Sequence, residues 1–209
     1  VGNNAMWPIE EDDSYNEEQY TVVSERLLGV VFGVAAQIVE EDICSMEDVD
    51  RGAKVGLRWA KGPFELMNRL GVAEAYRMAS AYQQLAGETW TLPEFFQQQT
   101  SNWDFSYVDL HTEGGIATIT INRPEAMNAL NEVVVEQLTQ AVQVANANDA
   151  VSTIVLDGAG KAFVAGADVK FFVDKIRSDS IPDIEVFTEN GHVLLSALED
   201  SSKTTIALT

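Results

Sequence analysis

Residues 155–168, VLDGAGKAFVAGAD, place an apolar strand before a glycine loop and a small-residue turn, after which an amphipathic pattern predicts a helix. Backbone N–H groups at such a turn point outward with the positive end of the helix behind them, so the turn suits an oxygen that becomes negative during a reaction. Small residues after a strand are also common packing devices, and spacing alone leaves both explanations open. Any chemistry at this turn uses the backbone rather than side chains.

The first hundred residues carry the 3.6-residue period of helices and no segment that favours a strand. Residues 17–40 predict a long core helix, because large apolar side chains recur there at intervals of three and four. The predicted core face consists of Tyr20, Val23, Leu27, Val30, Val31, Val34 and Ile38. Capping or proline signals predict helix starts at Asn16, Ser45, Pro63 and Thr91. Residues 72–85 predict one more helix.

From about residue 101 onward, predicted strands and helices alternate, which is the pattern of α/β packing. Alternating residues around the Glu-Gly-Gly sequence at 113–115 predict a β-hairpin. A helix, a strand, two helices and a last strand are then predicted at residues 131–146, 152–156, 169–176, 184–198 and 204–208. We therefore predict two domains, an all-α part at residues 1–100 and an α/β part at residues 101–209.

The charge of the chain restricts its partners. Its 13 Lys and Arg residues against 33 Asp and Glu residues give a formal net charge of −20. Nucleic acid is excluded as an expected partner, because phosphate binding needs clustered cations. A high-salt environment would screen the repulsion among these acids.

Cysteine usage and hydropathy bear on location. Cys44 is the only cysteine, so no disulfide can form within the chain, and we expect a reducing, cytoplasmic compartment. The longest apolar run, at residues 27–36, is about half of what a bilayer-spanning helix requires, so no membrane span is predicted.

Side chains offer few alternatives to the backbone site. The glycines at 158–160 lack the third glycine of a dinucleotide fingerprint and the spacing of a phosphate-binding loop. His111 and His192 are far apart, and no ligand spacing predicts a metal site. The acidic groups at residues 10–13 and 40–42 are interpreted as solvated flanks, and the Asp168 carboxylate as a helix cap.

Two motifs resemble the N-terminal half of the crotonase (enoyl-CoA hydratase/isomerase) family: ITINRPEAMNALN at residues 119–131 and, about thirty residues later, GKAFVAGADV at residues 160–169. The resemblance covers residues 105–209 and implies the ββα repeat of a crotonase-like fold, truncated in this chain. It also implies that the amide of Ala165 is one of two oxyanion-hole donors to a thioester carbonyl. Coenzyme A is then part of the substrate.

The same resemblance implies a coenzyme A site around these motifs. The backbone of residues 165–168 would receive the adenine, and the turn at residues 128–130 would border the CoA arm. The nearest cations in sequence for the phosphates are Lys161, Lys170 and Arg123. The predicted binding residues are Asn128, Ala129, Leu130, Ala165, Gly166, Ala167, Asp168 and Lys170.

Some functional groups of the family have no counterpart in this sequence. The family's second oxyanion amide and its hydratase glutamates follow a strand that resembles residues 203–209, which implies that they lie beyond Thr209. We also expect a fragment, because the chain starts at Val1 and stops within an apolar, β-prone run. Hydration of an enoyl thioester needs one group to activate water and another to protonate the α-carbon. We therefore expect these residues alone to be inactive as a hydratase.

Residues 17–82, including the GPFEL turn at residues 62–66, resemble the C-terminal helical domain of 3-hydroxyacyl-CoA dehydrogenases. In that family this domain supports dimerisation and closes over the acyl chain, while the NAD-binding domain and the catalytic histidine and glutamate lie upstream. The resemblance implies NAD as a cofactor of the parent protein, no NAD domain in these residues, and a homo-oligomer.

A dehydrogenase segment followed by a hydratase segment is the order of some bifunctional β-oxidation enzymes. It implies a parent that hydrates trans-2-enoyl-CoA and oxidises the 3-hydroxyacyl-CoA product with NAD to 3-oxoacyl-CoA. Two alternatives stay open. One is another crotonase-type reaction, such as isomerisation or thioester hydrolysis, and the other is a non-catalytic oligomerisation or binding piece.

Overall fold

The structure is a computed structural model that describes residues 16–209, and it divides into two units after Asp104. The described part of the first unit contains α1 (Glu17–Glu40), α2 (Met46–Gly56), α3 (Pro63–Leu70), α4 (Val72–Ala86) and α5 (Glu94–Gln98). The second unit contains β1 (Val108–Glu113), β2 (Ile116–Ile121), α6 (Glu132–Ala147), β3 (Thr153–Gly158), α7 (Val169–Arg177), α8 (Ile181–Glu199) and β4 (Thr204–Ala207). The acidic group predicted at residues 10–13 lies outside the described residues.

Two of the four predicted helix starts are confirmed by side-chain caps, and a third, α3, begins at Pro63 as predicted. Asn16 accepts a hydrogen bond from the N–H of Gln19 at 3.1 Å, and Ser45 accepts one from the N–H of Asp48 at 3.2 Å. The start predicted at Thr91 is wrong. The short helix α5 begins after Pro93, whose backbone is extended and which offers no side-chain cap.

The core face predicted for α1 is wrong. Tyr20 and Leu27 are each 63% exposed and Val23 is 55% exposed, whereas the buried residues of this helix are Gly29, Phe32, Gly33, Ala35 and Ala36. The physical reason is that α4 and Trp90 approach α1 closely on the side that carries its two glycines. A Cβ on Gly29 would lie 2.4 Å from the carbonyl oxygen of Met78 in α4.

The second glycine of α1 has a similar role. A Cβ on Gly33 would lie 2.4 Å from the indole ring of Trp90, whose Nε1 donates to Gln37 at 2.9 Å. By length and composition alone α1 is apolar enough to cross a membrane, a test that core helices of globular proteins also pass. The buried side of α1 is explained by its packing on α4 and Trp90.

A buried carboxylate joins α2 to α3. Asp50 is 1% exposed and accepts hydrogen bonds from the N–H groups of Phe64 at 2.8 Å and Glu65 at 2.9 Å. Burial raises the pKa of Asp50 to about 6, although these bonds favour its charged form. Gly62 is required beside it, because a Cβ there would lie 2.2 Å from the Asp50 carboxyl carbon.

The second unit is built on a four-stranded sheet in the order β1-β2-β3-β4. Strands β1 and β2 form the predicted hairpin, while β2, β3 and β4 run parallel and therefore need crossovers, supplied by α6 and by α7 with α8. Ile121 pairs with Gly158, so the carboxyl ends of β2 and β3 lie side by side. The loops that leave these two ends carry the motifs singled out in the sequence.

One helix face and the sheet form the core of this unit. One face of α6 is buried, as are the central side chains of β2 and β3 and two residues of α8. These buried residues include Ile119, Ile121, Val134, Leu138, Val142, Ala145, Ile154, Phe187 and Leu194. The predicted fold class, an all-α part followed by an α/β part, is confirmed.

Candidate functional site

The loop after β3 folds back sharply at Gly158. A Cβ at this position would lie 2.4 Å from the carbonyl oxygen of Phe163, so only glycine permits this approach. The N–H of Ala159 donates to the carbonyl of Ile121 at 2.8 Å, which joins the loop to the end of β2. The small-residue turn that follows is thereby held above the ends of both strands.

Asn128 connects three segments of this site. Its side chain is fully buried, its Oδ1 accepts from the N–H of Arg123 at 2.9 Å, and its Nδ2 donates to the carbonyls of Ala159 at 3.0 Å and Ala162 at 2.7 Å. The sequence predicted a contact with coenzyme A. All of these side-chain bonds are internal, so the side chain fixes the loops, and a contact of the turn at residues 128–130 with the CoA arm stays a prediction.

A short parallel pairing joins the turn to the loop after β2. The N–H of Leu130 donates to the carbonyl of Gly166 at 2.9 Å, and the N–H of Asp168 donates to the carbonyl of Leu130 at 2.8 Å. Gly166 has φ +123°, a conformation that side-chain-bearing residues rarely adopt. Ala165, Gly166 and Ala167 are all exposed.

The N–H of Ala165 is not open, which corrects the oxyanion role predicted for it. It donates to the carbonyl of Met127 at 3.1 Å. Because Gly166 and Asp168 both bond to Leu130, the intervening Ala167 directs its N–H away from this pairing. Within residues 16–209 the Ala167 N–H has no hydrogen-bond acceptor. The exposed, unbonded amide therefore lies two residues after the predicted position.

Asp168 caps α7, as the sequence predicted. Its Oδ1 accepts from the N–H of Lys170 at 3.0 Å. Its other oxygen accepts from Arg123 Nη1 at 2.8 Å, an ion pair whose two side chains are only 17% and 16% exposed. Burial opposes the charge of Asp168, but the Arg123 guanidinium outweighs it and holds the pKa of the carboxyl below its usual value.

The cations predicted for the CoA phosphates differ in availability. Arg123 uses its Nη1 to bond both Asp168 and the carbonyl of Ala129, the latter at 3.1 Å, and its side chain is only 17% exposed, so it is less available to a phosphate than a surface lysine. Lys161 and Lys170 are exposed, and neither forms an ion pair within the part of the chain that the structure describes. Lys170 borders a shallow depression with Asp168 and Asp174.

An apolar cavity of about 230 Å³ lies beside the turn. Every side chain that lines it is apolar, and the set is Ile121, Leu130, Leu138, Leu156, Phe163, Val164, Leu194, Leu195 and Leu198. Three of these residues belong to the loops described above. A cavity without polar groups suits a hydrocarbon chain next to the exposed amide.

Comparison with known families identifies both units. A family model described as 3-hydroxyacyl-CoA dehydrogenase, C-terminal domain, matches residues 22–107, and one described as enoyl-CoA hydratase/isomerase matches residues 116–209. The chain therefore contains one segment that matches each family model, the dehydrogenase segment first and the hydratase/isomerase segment second. Both resemblances seen in the sequence, and their order, are thereby confirmed.

The hydratase/isomerase segment is similar to curated proteins. A probable enoyl-CoA hydratase of Rhizobium meliloti is 49% identical over 61 residues, which are 29% of this chain and 24% of that protein. A crotonyl-CoA hydratase of Syntrophomonas wolfei is 34% identical over 104 residues, which are 49% of this chain and 38% of that protein. The chain thus spans well under half of the length of these relatives.

A solved structure is also similar to part of this chain. The crystal structure of an enoyl-CoA hydratase from Shewanella pealeana is 26% identical, with a TM-score of 0.46, over 50% of this chain and 39% of its own.

Two features of the site were missed in the sequence. The ion pair between Arg123 and Asp168 joins residues 45 positions apart, and nothing local indicates it. The exposed amide at Ala167 could have been predicted in part, because successive N–H groups of an extended segment point in opposite directions. Once Gly166 and Asp168 are known to bond to Leu130, this rule predicts that the N–H of Ala167, which lies between them, points to the opposite side.

Proposed function

We propose that this chain is part of a bifunctional enzyme of the β-oxidation type. Its hydratase/isomerase segment binds a trans-2-enoyl-CoA for hydration to 3-hydroxyacyl-CoA, and its dehydrogenase segment serves the oxidation of that product to 3-oxoacyl-CoA by NAD. The observation that carries the proposal is the exposed, unbonded N–H of Ala167 next to an apolar cavity, in a chain that joins these two families.

The amide supplies one part of the chemistry. A fixed N–H aimed at the thioester oxygen stabilises the negative charge that develops there when a nucleophile adds to the conjugated double bond. Little conformational entropy is lost when this amide binds an oxygen, because Gly166 and Asp168 are already held by hydrogen bonds to Leu130. One such donor contributes about 3 kcal/mol of barrier lowering in well-studied oxyanion holes.

Proton transfer needs other groups. The carboxylate within the turn, Asp168, caps α7 and pairs with Arg123, so it is not free to act as a base. We therefore propose that the 209-residue chain binds acyl-CoA without hydrating it. Loss of enoyl absorbance from crotonyl-CoA, catalysed by the purified chain, would contradict this statement.

NAD chemistry is assigned to the parent protein through the dehydrogenase family alone. The glycine loop at residues 158–160 lacks a dinucleotide fingerprint, and its carbonyl at Ala159 accepts a hydrogen bond from Asn128 instead.

A test of the proposed site removes a single N–H. Lactate in place of Ala167, introduced by an ester-forming translation system, deletes the amide proton and leaves the side chain intact. We expect acetoacetyl-CoA, titrated by calorimetry, to bind about fivefold more weakly, because one hydrogen bond contributes about 1 kcal/mol.

The matched control is lactate in place of Ala165, whose N–H bonds to Met127. We expect this ester to lower the free energy of unfolding by about 1 kcal/mol and to leave binding unchanged. Equal binding by both esters would overturn the assignment to Ala167. If the unsubstituted 209-residue chain shows no saturable binding of acetoacetyl-CoA, the proposed function is overturned.

An assembly role is a second candidate for the helical unit. A groove of about 530 Å³ between α1 and α2 is almost wholly apolar, and its lining includes Val34, Val49, Leu57 and Trp59. Exposed apolar patches of this kind mark protein contacts. Sedimentation of the chain, compared with a Val34→Glu, Leu57→Glu variant, tests a homo-oligomer, and equal masses for the two would discard it.

A further inference from the structure

The side chain of Arg123 holds the candidate oxyanion turn from two sides. Its Nη1 donates to Asp168 Oδ2 at 2.8 Å and to the carbonyl of Ala129 at 3.1 Å. Asp168 directly follows Ala167, and Ala129 directly precedes Leu130, whose backbone bonds to both neighbours of Ala167. One guanidinium group therefore fixes both strands of the short pairing that leaves the Ala167 amide exposed.

Arg123 is itself held in place. Its guanidinium carbon lies 5.7 Å from the centre of the Tyr107 ring, and its backbone N–H donates to Asn128 Oδ1 at 2.9 Å. The second oxygen of Asp168 accepts from the N–H of Lys170, so both carboxylate oxygens are bonded. Because both side chains of the ion pair are mostly buried, solvent screens it less than a surface pair.

We propose that Arg123 is a positioning residue for the thioester site. By linking Asp168 to Ala129, it keeps the Ala167 N–H aimed at the substrate carbonyl oxygen. This inference rests on the proposed function and adds to it a residue that touches no substrate atom. Its physical basis is that a hydrogen-bond donor stabilises developing charge only when its direction is fixed beforehand.

The competing role for Arg123 is direct contact with a CoA phosphate, as the sequence suggested. The two roles predict opposite results. A phosphate contact changes affinity in a salt-dependent way, whereas a positioning residue changes how strongly the bound carbonyl is polarised. A ligand that reports both quantities separates them.

The experiment uses the whole chain and 2,4-hexadienoyl-CoA, whose absorption moves to longer wavelength when its carbonyl is polarised. We expect Arg123→Gln and Asp168→Asn to lose most of this red shift, while the dissociation constant changes by less than about threefold. Asp168→Asn keeps an oxygen for the N–H of Lys170, so α7 stays capped. Arg123→Lys restores the positive charge and should recover part of the shift.

Lys175→Gln is the matched control. It removes ion pairs with Asp183 at 2.6 Å and Glu132 at 3.2 Å from the same unit without touching the turn. We expect its red shift to equal that of the parent. A full red shift in Arg123→Gln overturns the positioning role alone, and so does weaker, salt-dependent binding with the red shift intact. If the unsubstituted 209-residue chain shows no red shift, the proposed function is overturned, and the inference about Arg123 is overturned with it.

Discussion

The carboxylate of Asp50 accepts a hydrogen bond from the backbone N–H of Phe64 at 2.8 Å, which fixes the first turn of α3 against α2. The side chain is buried and carries a pKa of about 6 against an ordinary value of 3.8. The folded chain therefore holds a proton here more tightly than the unfolded chain does. This difference makes the stability of the helical unit sensitive to pH.

We expect the Asp50 contribution to stability to be full below about pH 4 and to fall as the pH rises through about 6. The linkage predicts a total change of about 3 kcal/mol in the free energy of unfolding. Urea unfolding of the unsubstituted chain and of Asp50→Asn at several pH values isolates the contribution of Asp50, because both proteins share all the other acidic groups. Parallel curves for the two proteins between pH 4 and 7 would rule out this assignment.

Gly33→Ala should destabilise the first unit. The new Cβ would lie 2.4 Å from the Trp90 ring, and overpacking of this kind costs about 1–3 kcal/mol. Gly52→Ala in α2 is the control, since nothing lies within 4 Å of its added Cβ, and helix propensity predicts a gain of up to about 1 kcal/mol. Urea unfolding measures both, and equal effects would contradict the close packing.

Asn128→Ala should destabilise the second unit by about 3 kcal/mol or more, because it leaves the N–H of Arg123 and the carbonyls of Ala159 and Ala162 without a partner. Asn131→Ala removes an ordinary helix cap from the N–H of Val134 and should cost only about 1 kcal/mol. Denaturation followed by circular dichroism compares them. A loss no larger for Asn128 than for Asn131 would show that the loops do not depend on this side chain.

Added salt should raise the melting temperature of the chain. With a net charge of −20, the folded state repels itself, and raising KCl from about 0.1 M to about 1 M shortens the screening length from about 10 Å to about 3 Å. Sucrose, an uncharged excluded solute, separates screening from a general solvent effect. A melting temperature that does not move with KCl would contradict a role for this repulsion.

The element pattern of the fold could be predicted, because helix and strand periods and capping residues are local signals. The caps at Asn16 and Ser45 and the hairpin around Gly114 follow from a few neighbouring residues. The packed face of α1 could not be predicted. Periodicity selects large side chains such as Leu27, whereas the closest contacts form at Gly29 and Gly33, where small size is what matters.

The candidate site was predicted in place but not in detail. The small-residue turn is present, but hydrogen bonding at Ala165 and its absence at Ala167 depend on Met127 and Leu130, which come from another loop. The pairing of Arg123 with Asp168 has the same origin. Such contacts are set by the register of β2 against β3, and no single segment encodes that register.

The division of the chain after Asp104 decides which signal can observe each unit. All four tryptophans of the sequence precede this point. Indole fluorescence therefore follows the melting of the helical unit and is silent for the α/β unit, whose unfolding has to be followed by backbone ellipticity or amide exchange. Disagreement between such probes would reveal two separate transitions, for which a single melting temperature has no meaning.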